Sequence, residues 1–357
     1  MSSNSNQVDK LFRYLYFPLN EGAVQRYAYF SNNRSIVHAV LSRVVVAPIV
    51  RRLPSVFTPK TLTLFGFIFA GIAFFCALAY RGRYPNITLP LIALCTTLHI
   101  LSDVLVEPLA KIRKDTSLLT HFLQHYAQGF ALGFFSLSAI ALFSSDEFIY
   151  GPILLISVHI AMFTGLQEIS IRKTTFRIEK IGPLEALSVL ALLCLVCLNR
   201  ELFWKLLDSE QYGIAMFDIT LLAVSFGAAA TAIETIRRSK LYLTPATLLY
   251  LAGCIFFVLL MFEMKNTMFA MVLFIFFSSE FFGRMILARI IHTEPVSPSV
   301  MPLIIALVAI QAEHYFWDLQ LSGYILAIVL ILQHVSLAYY AFTKLADRYM
   351  DLPFRRV

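Results

Sequence analysis

The side chains of this chain that could do chemistry together lie between Asp103 and Gln128, in DVLVEPLAKIRKDTSLLTHFLQHYAQ. On a helix Asp103, Glu107 and Lys111 stand four apart and share a face, so Glu107 and Lys111 can pair. His121, Gln124, His125 and Gln128 follow at the same three-to-four spacing. Hard divalent cations want anionic oxygen ligands; a glutamine lends a carbonyl oxygen but no charge. Zinc would need a third ligand beside His121 and His125, and no nearby cysteine or carboxylate supplies one. Polar groups set this deep in an apolar chain need either one another or a function.

The elements that must position them are membrane spans. The chain has 357 residues, 59% of them hydrophobic and 14% charged, with a mean hydropathy of +0.73, too apolar for a soluble globular domain of this length. Ten spans are expected, at roughly 61–80, 86–106, 118–143, 148–171, 183–203, 212–235, 242–263, 267–289, 298–320 and 322–346, each near the ~20 residues that a bilayer core requires. Before them, residues 34–52 place Ile36, Val37, Val40, Leu41, Val44 and Val45 at helical spacing among Arg34, Arg43, Arg51 and Arg52, the pattern of an interfacial amphipathic helix. The net charge of +7 concentrates in alternate loops, including Lys111, Arg113, Arg172, Arg237, Arg238 and Lys344, which puts both termini on the cytoplasmic or matrix-equivalent side. That distribution also removes the case for nucleic acid as a partner. The five cysteines lie in apolar runs and read as small hydrophobic residues without metal or redox spacing. The N-terminal MSSNSNQVDKLFRYLYF has neither signal-peptide nor transit-peptide form.

With the spans placed, the second and third reproduce the spacing D-x2-D-G-x2-A-R-x8-G-x3-D-x3-D of the CDP-alcohol phosphotransferase family. Asp103 falls on the first Asp, Ala110 on the Ala and Lys111 on the Arg. Val106, Gln124 and Gln128 fall on the other three Asp positions, and Glu107 and Thr120 on the two Gly. The flanks carry the resemblance further. LSRVVVAPIVRRLPSVFTPKTLTLFGF is similar to the interfacial helix and first span of eukaryotic choline/ethanolamine phosphotransferases, LLTHFLQHYAQ to their Leu-Gly-Glu-Leu-Phe-Asp-His-Gly segment, and KIGPLEA to their Asn-Gly-Pro-x-Glu-Gly stretch.

The resemblance implies an all-α integral membrane fold of about ten helices after an interfacial helix, with an N-terminal segment 1–53, a six-helix transferase-like core 54–235 and a four-helix region 236–357. In active relatives, it implies, four Asp hold two divalent cations against the CDP diphosphate while an alcohol such as diacylglycerol displaces CMP. Here three of the four are Val106, Gln124 and Gln128. Two dications would keep too little compensating charge at low dielectric, so no metal and no cofactor are expected, Asp103 being the only retained ligand position. His125 and Glu168 fall where relatives carry general-base elements, although His125 is expected rather to hydrogen-bond Gln128 or Gln124. Glu107 and Lys111 are expected to fill the vestigial nucleotide cleft, with Pro108 kinking or ending the helix.

The leading expectation is therefore a catalytically degenerate protein, binding lipid or serving as an accessory subunit of a larger assembly, such as a respiratory or ATP synthase complex. Its membrane would be the mitochondrial inner membrane or the endoplasmic reticulum. Anionic lipid such as cardiolipin suits the basic loops, and partners would be other subunits or a second copy. The alternative is an active choline/ethanolamine phosphotransferase, with Mg²⁺ or Mn²⁺, whose site is rebuilt from Glu107, Glu168 and the histidines. A transporter finds little support, because His99, His159, Asp218, Glu234, Glu280, Arg284, Glu313, His314 and Asp318 are scattered and do not group at broken helices. Most of these are expected to pair between helices or sit near helix ends, Glu280 and Arg284 most clearly.

Overall fold

The computed structural model describes residues 31–33, 35–80, 85–113, 117–172, 176–178, 182–199, 201–202, 205, 209–211, 214–239, 244–291, 296–313 and 319–346. Strand β1 (Ser31–Asn33) leads into α1 (Ile36–Ile49), which widens into a π turn over Ser42–Val46. Then come α2 (Pro59–Tyr80), α3 (Pro85–Arg113), α4 (Leu118–Phe143), α5 (Glu147–Arg172), β2 (Phe176–Ile178) and α6 (Pro183–Val196). A two-residue β3 (Glu210–Gln211) and β4 (Ile214–Ala215) precede α7 (Met216–Ser239), α8 (Pro245–Glu263), α9 (Thr267–Ile291), α10 (Val300–Glu313) and α11 (Leu319–Leu345). Strand β1 pairs in parallel with β2, Ser31 opposite Phe176, and β3 pairs antiparallel with β4.

Eight of these helices are long and apolar enough to cross a membrane, and each coincides with an expected span. The other two, α6 and α10, are 14 residues as described, about 21 Å of helix against the ~30 Å of a hydrocarbon core. Hydropathy reads the apolar runs at roughly 183–203 and 298–320 as full spans, which is why it counts ten. Helix α1 matches the interfacial pattern: Ile36, Val40 and Val44 are exposed in one stripe while Val46 and Val50 are buried.

Starts are set by local chemistry. Proline opens α2, α3, α6 and α8 at the position where a missing N–H costs nothing. Thr244 accepts from Thr247 N at 3.2 Å and Asn266 Oδ1 from Phe269 N at 3.1 Å, capping α8 and α9. Pro108 does not end α3. The helix runs five residues further to Arg113, whose guanidinium donates to the carbonyls of Leu53, Pro54 and Ser55 at 3.0, 2.7 and 2.9 Å. That tertiary clamp outweighs the one backbone bond that a proline removes.

Two apolar cores meet along α4. One gathers α1, α2, α3 and α6 around Leu89, Ile92 and Leu109; the larger gathers α4, α5, α8, α9, α10 and α11 around Phe122, Phe274 and Phe277, and so spans both sides of residue 235. Helix α9 is the axis of the larger core, with 83% of its span buried. Lipid is as apolar as leucine, so close packing at small residues has to hold such helices together. On α4 Gly129 and Gly133 supply it. A Cβ at Gly133 would stand 2.6 Å from Ile275 Cγ1, and one at Gly129 3.2 Å from Ser279 Oγ. Gly133→Ala is therefore expected to cost about 1–3 kcal/mol through overpacking, read as a lowered unfolding temperature in detergent; an unchanged midpoint would show that Ile275 simply moves aside.

The scattered polar groups find varied partners. Asp218 is fully buried and accepts from Ser145 N at 3.1 Å and from the Ser145 hydroxyl. His159 donates within its own helix to the Leu155 carbonyl at 2.7 Å rather than across to another. Tyr126 donates to His334 Nδ1, and His334 Nε2 donates to the Phe276 carbonyl at 2.9 Å, tying α4, α11 and α9 together. Glu280 and Arg284 do meet, at a loose 3.8 Å, whereas Glu234 is exposed. His314 and Asp318 lie outside the described residues. All five cysteines are free thiols; Cys194 and Cys197, both buried among exposed neighbours at the C-terminal end of α6, stand three apart, so one pair does have the C-x-x-C spacing not expected from the sequence.

Candidate functional site

Helices α3 and α4 bring the expected residues together. Asp103 is half-buried on α3, one turn beyond His99, whose Nδ1 donates to the Gly66 carbonyl of α2 at 2.8 Å. From α4, Gln128 Nε2 donates to Asp103 Oδ1 at 3.1 Å, and His125 Nδ1 donates to Gln128 Oε1 at 2.9 Å. A relay His125–Gln128–Asp103 results, in which the glutamine faces both ways. His125 thus takes the hydrogen-bonding role expected of it. His121 and His125 rings lie edge to face, with centroids 4.7 Å apart.

The other positions of the spacing go elsewhere. Val106 is buried beside Leu105 and Leu109 in the core of α2, α3 and α6, where no carboxylate could be solvated. Thr120 is buried, and its hydroxyl makes no hydrogen bond among the described residues. Glu107 and Lys111 pair at 2.7 Å as their spacing predicts, but with side-chain exposures of 38% and 62% the pair lies at the surface, where an ion pair contributes little. Gln124 is half-buried one turn before Gln128.

Glu168 is engaged at another place, between α5 and α7. It takes a two-pronged ion pair from Arg238 at the end of α7, Nη2 to Oε2 at 2.8 Å and Nε to Oε1 at 3.3 Å, joining α5 to α7. Both oxygens of the carboxylate are thus engaged by the guanidinium. Beside it Gln167 donates to Thr247 of α8 at 2.7 Å. Arg238 was missed because a basic residue in the last turn of a span reads as a topology signal. Glu185 of the KIGPLEA stretch was missed as well: it accepts from Gly182 N at 2.8 Å, Ser35 Oγ at 2.6 Å and Val37 N at 3.2 Å, capping its own helix and fastening α1 to it. A Gly-Pro followed by an acid two residues on was the available signal for such a cap.

Two divalent cations do not fit the residues present. Asp103 is the single acid at the family positions, one of its oxygens already accepts an amide N–H, and Val106 offers no ligand. Among the described residues no group of three or more His, Cys, Asp or Glu side chains is arranged to hold a metal ion. The chain matches no protein-family model and no curated protein.

Proposed function

We propose that the chain is a catalytically degenerate membrane protein of CDP-alcohol phosphotransferase type, with about ten spans and both termini on the cytoplasmic or matrix-equivalent side. It is retained for lipid binding or as an accessory subunit of a larger membrane complex. The observation that carries this reading is the hydrogen bond from Gln128 to Asp103. At a working two-metal site both positions would be acceptors turned toward cations; here one is a donor that satisfies the other. Charge supports the same conclusion, since one carboxylate leaves two dications largely uncompensated at low dielectric. With the chemistry gone, what a membrane bundle retains is its surface. Its basic loops suit anionic headgroups such as cardiolipin, and its lipid-facing helices suit neighbouring subunits or a second copy, in the mitochondrial inner membrane or the endoplasmic reticulum.

The test is CMP release by the purified chain from CDP-choline or CDP-ethanolamine, with diacylglycerol and Mg²⁺ or Mn²⁺. No release above that of empty vesicles is expected, and Asp103→Asn should change nothing. Metal-dependent turnover abolished by Asp103→Asn would establish the alternative, an active phosphotransferase. For the accessory role, migration in mild detergent solely as a monomer or homodimer would count against a larger complex.

A further inference from the structure

Helix α10 begins halfway through the bundle. Ser299, the residue before it, accepts from Gln333 Nε2 at 2.7 Å, and Gln333 lies midway along α11. Leu303, in its first turn, reaches the middle of α8 and α9: a Cβ at Gly253 would stand 3.1 Å from Leu303 Cδ2 and 2.7 Å from Phe277 Cζ. At the other end Gly323, just into α11, packs on Met264 and Phe269 at the start of α9. Helix α10 therefore runs antiparallel to α9 and opens at mid-depth. Val296 and Pro298, in the non-helical backbone leading to it, are buried. Irregular backbone at membrane depth is tolerated where protein buries it or where it lines a polar site, and half-length helices pointing their N-termini at a midplane site are one way to build such a site.

The polar groups at that depth are incompletely bonded. On α9, Glu280 lies between Phe276, whose carbonyl takes His334 of α11, and Phe277, which faces α8 and α10. It therefore faces the interior enclosed by α8 to α11. From Leu303 back to the first residue of α10, Val300, the helix rise is ~4.5 Å, and from Phe277 on to Glu280 it is ~4.5 Å in the same direction, which sets the N-terminus of α10 level with Glu280. Glu280 is 3% exposed, and its Oε2 has no hydrogen bond among the described residues; neither has the buried Gln333 Oε1. Arg284, one turn on, is tied to Glu280 only by the 3.8 Å contact, and at 19% side-chain exposure its guanidinium is reachable. Two bare acceptors thus ask for a donor, while a guanidinium and a helix N-terminus ask for an anion.

We propose that Glu280, Arg284, Ser299 and Gln333, at the mouth of α10, bind a zwitterion in which a primary ammonium neighbours a phosphate. Either an aminophospholipid or free phosphoethanolamine could present that group. Arg284 and the α10 N-terminus take the phosphate, and Glu280 with Gln333 takes the ammonium. A metal cation would leave Arg284 opposed to it, and a plain anion would meet Glu280. The site rests on the membrane-embedded fold but not on the degenerate chemistry at Asp103. CMP release would overturn the latter and leave this site standing.

The test reconstitutes the full chain in nanodiscs and measures retained lipid by native mass spectrometry, with phosphatidylethanolamine against phosphatidylglycerol, which carries phosphate without an amine. Wild type is expected to prefer phosphatidylethanolamine by about tenfold or more, the value of one good charge-assisted contact. Arg284→Gln should lower phosphatidylethanolamine retention to a similar degree, Arg284→Lys should keep part of that retention, and Glu280→Gln should abolish the preference between the two lipids. All three substitutions are near-isosteric, and circular dichroism checks that the helices persist. Free phosphoethanolamine that displaces the lipid identifies the headgroup alone as sufficient; failure to displace identifies the intact lipid. Equal retention of both lipids by wild type, or phosphatidylethanolamine retention unchanged in Arg284→Gln and Glu280→Gln, overturns the proposal.

Discussion

Arg238→Ala is expected to destabilise the folded chain by about 3–5 kcal/mol, the cost of removing one member of a largely buried ion pair. Glu168 and Arg238 have side-chain exposures of only 11% and 19%, and their two-pronged contact is the charged link between α5 and α7. Truncating the arginine removes the two-pronged contact; Glu168→Gln combined with Arg238→Gln removes both charges and should recover most of the loss. Unfolding in mild detergent, followed by loss of helical signal, reads the difference. A single variant within about 1 kcal/mol of wild type, the typical value of an exposed pair, would show that the two side chains separate in solution. The same variant bears on chemistry: if Glu168 were a working base, freeing it from Arg238 would raise CMP release and not merely lower stability.

Glu185→Ala should release the N-terminal helix. That carboxylate accepts from Gly182 N, Ser35 Oγ and Val37 N, and hydrogen bonds to a charged group contribute about 1.5–3 kcal/mol each. Ser35 also caps α1, accepting from His38 N at 3.0 Å, so freeing Ser35 loosens the start of the helix as well as its anchor. Hydrogen–deuterium exchange over residues 35–49 is expected to rise sharply while α9 stays protected, because local openings follow local bonding. Unaltered exchange in α1 would mean that the Arg113 clamp on Leu53, Pro54 and Ser55 holds the segment unaided. Glu185→Gln, which keeps an acceptor oxygen, should fall in between.

Relations within one helix were open to inspection before any fold was known. Spacing of four put Glu107 beside Lys111 and Glu280 beside Arg284, and both pairs form. His125 finds Gln128 three residues on for the same reason. Lateral relations were closed: the partner of Asp103 is 25 residues away, that of Glu168 is 70 and that of Glu185 is 150, and nothing in an apolar run says which helix it will lie against. Depth was hidden too. Helix α9 looks like any other span because lipid-facing and core-facing residues are equally apolar in a membrane protein, yet it is the axis of the larger core. For the same reason hydropathy cannot show that α10 opens at mid-depth.

By itself, then, the sequence determined the class, a polytopic helical membrane protein, because apolar runs near 20 residues admit no other backbone solution in lipid. It also determined that three positions of a four-Asp spacing hold no acid, a matter of residue identity alone. Only the tertiary structure decided what Asp103 meets, turning Gln128 from α4 onto it and Val106 into the apolar core. It alone decided that α10 opens at mid-depth, with Ser299 against Gln333 of α11 and Leu303 against α8, since helix-to-helix register is set by side-chain packing across the bundle and leaves no periodic trace along the chain.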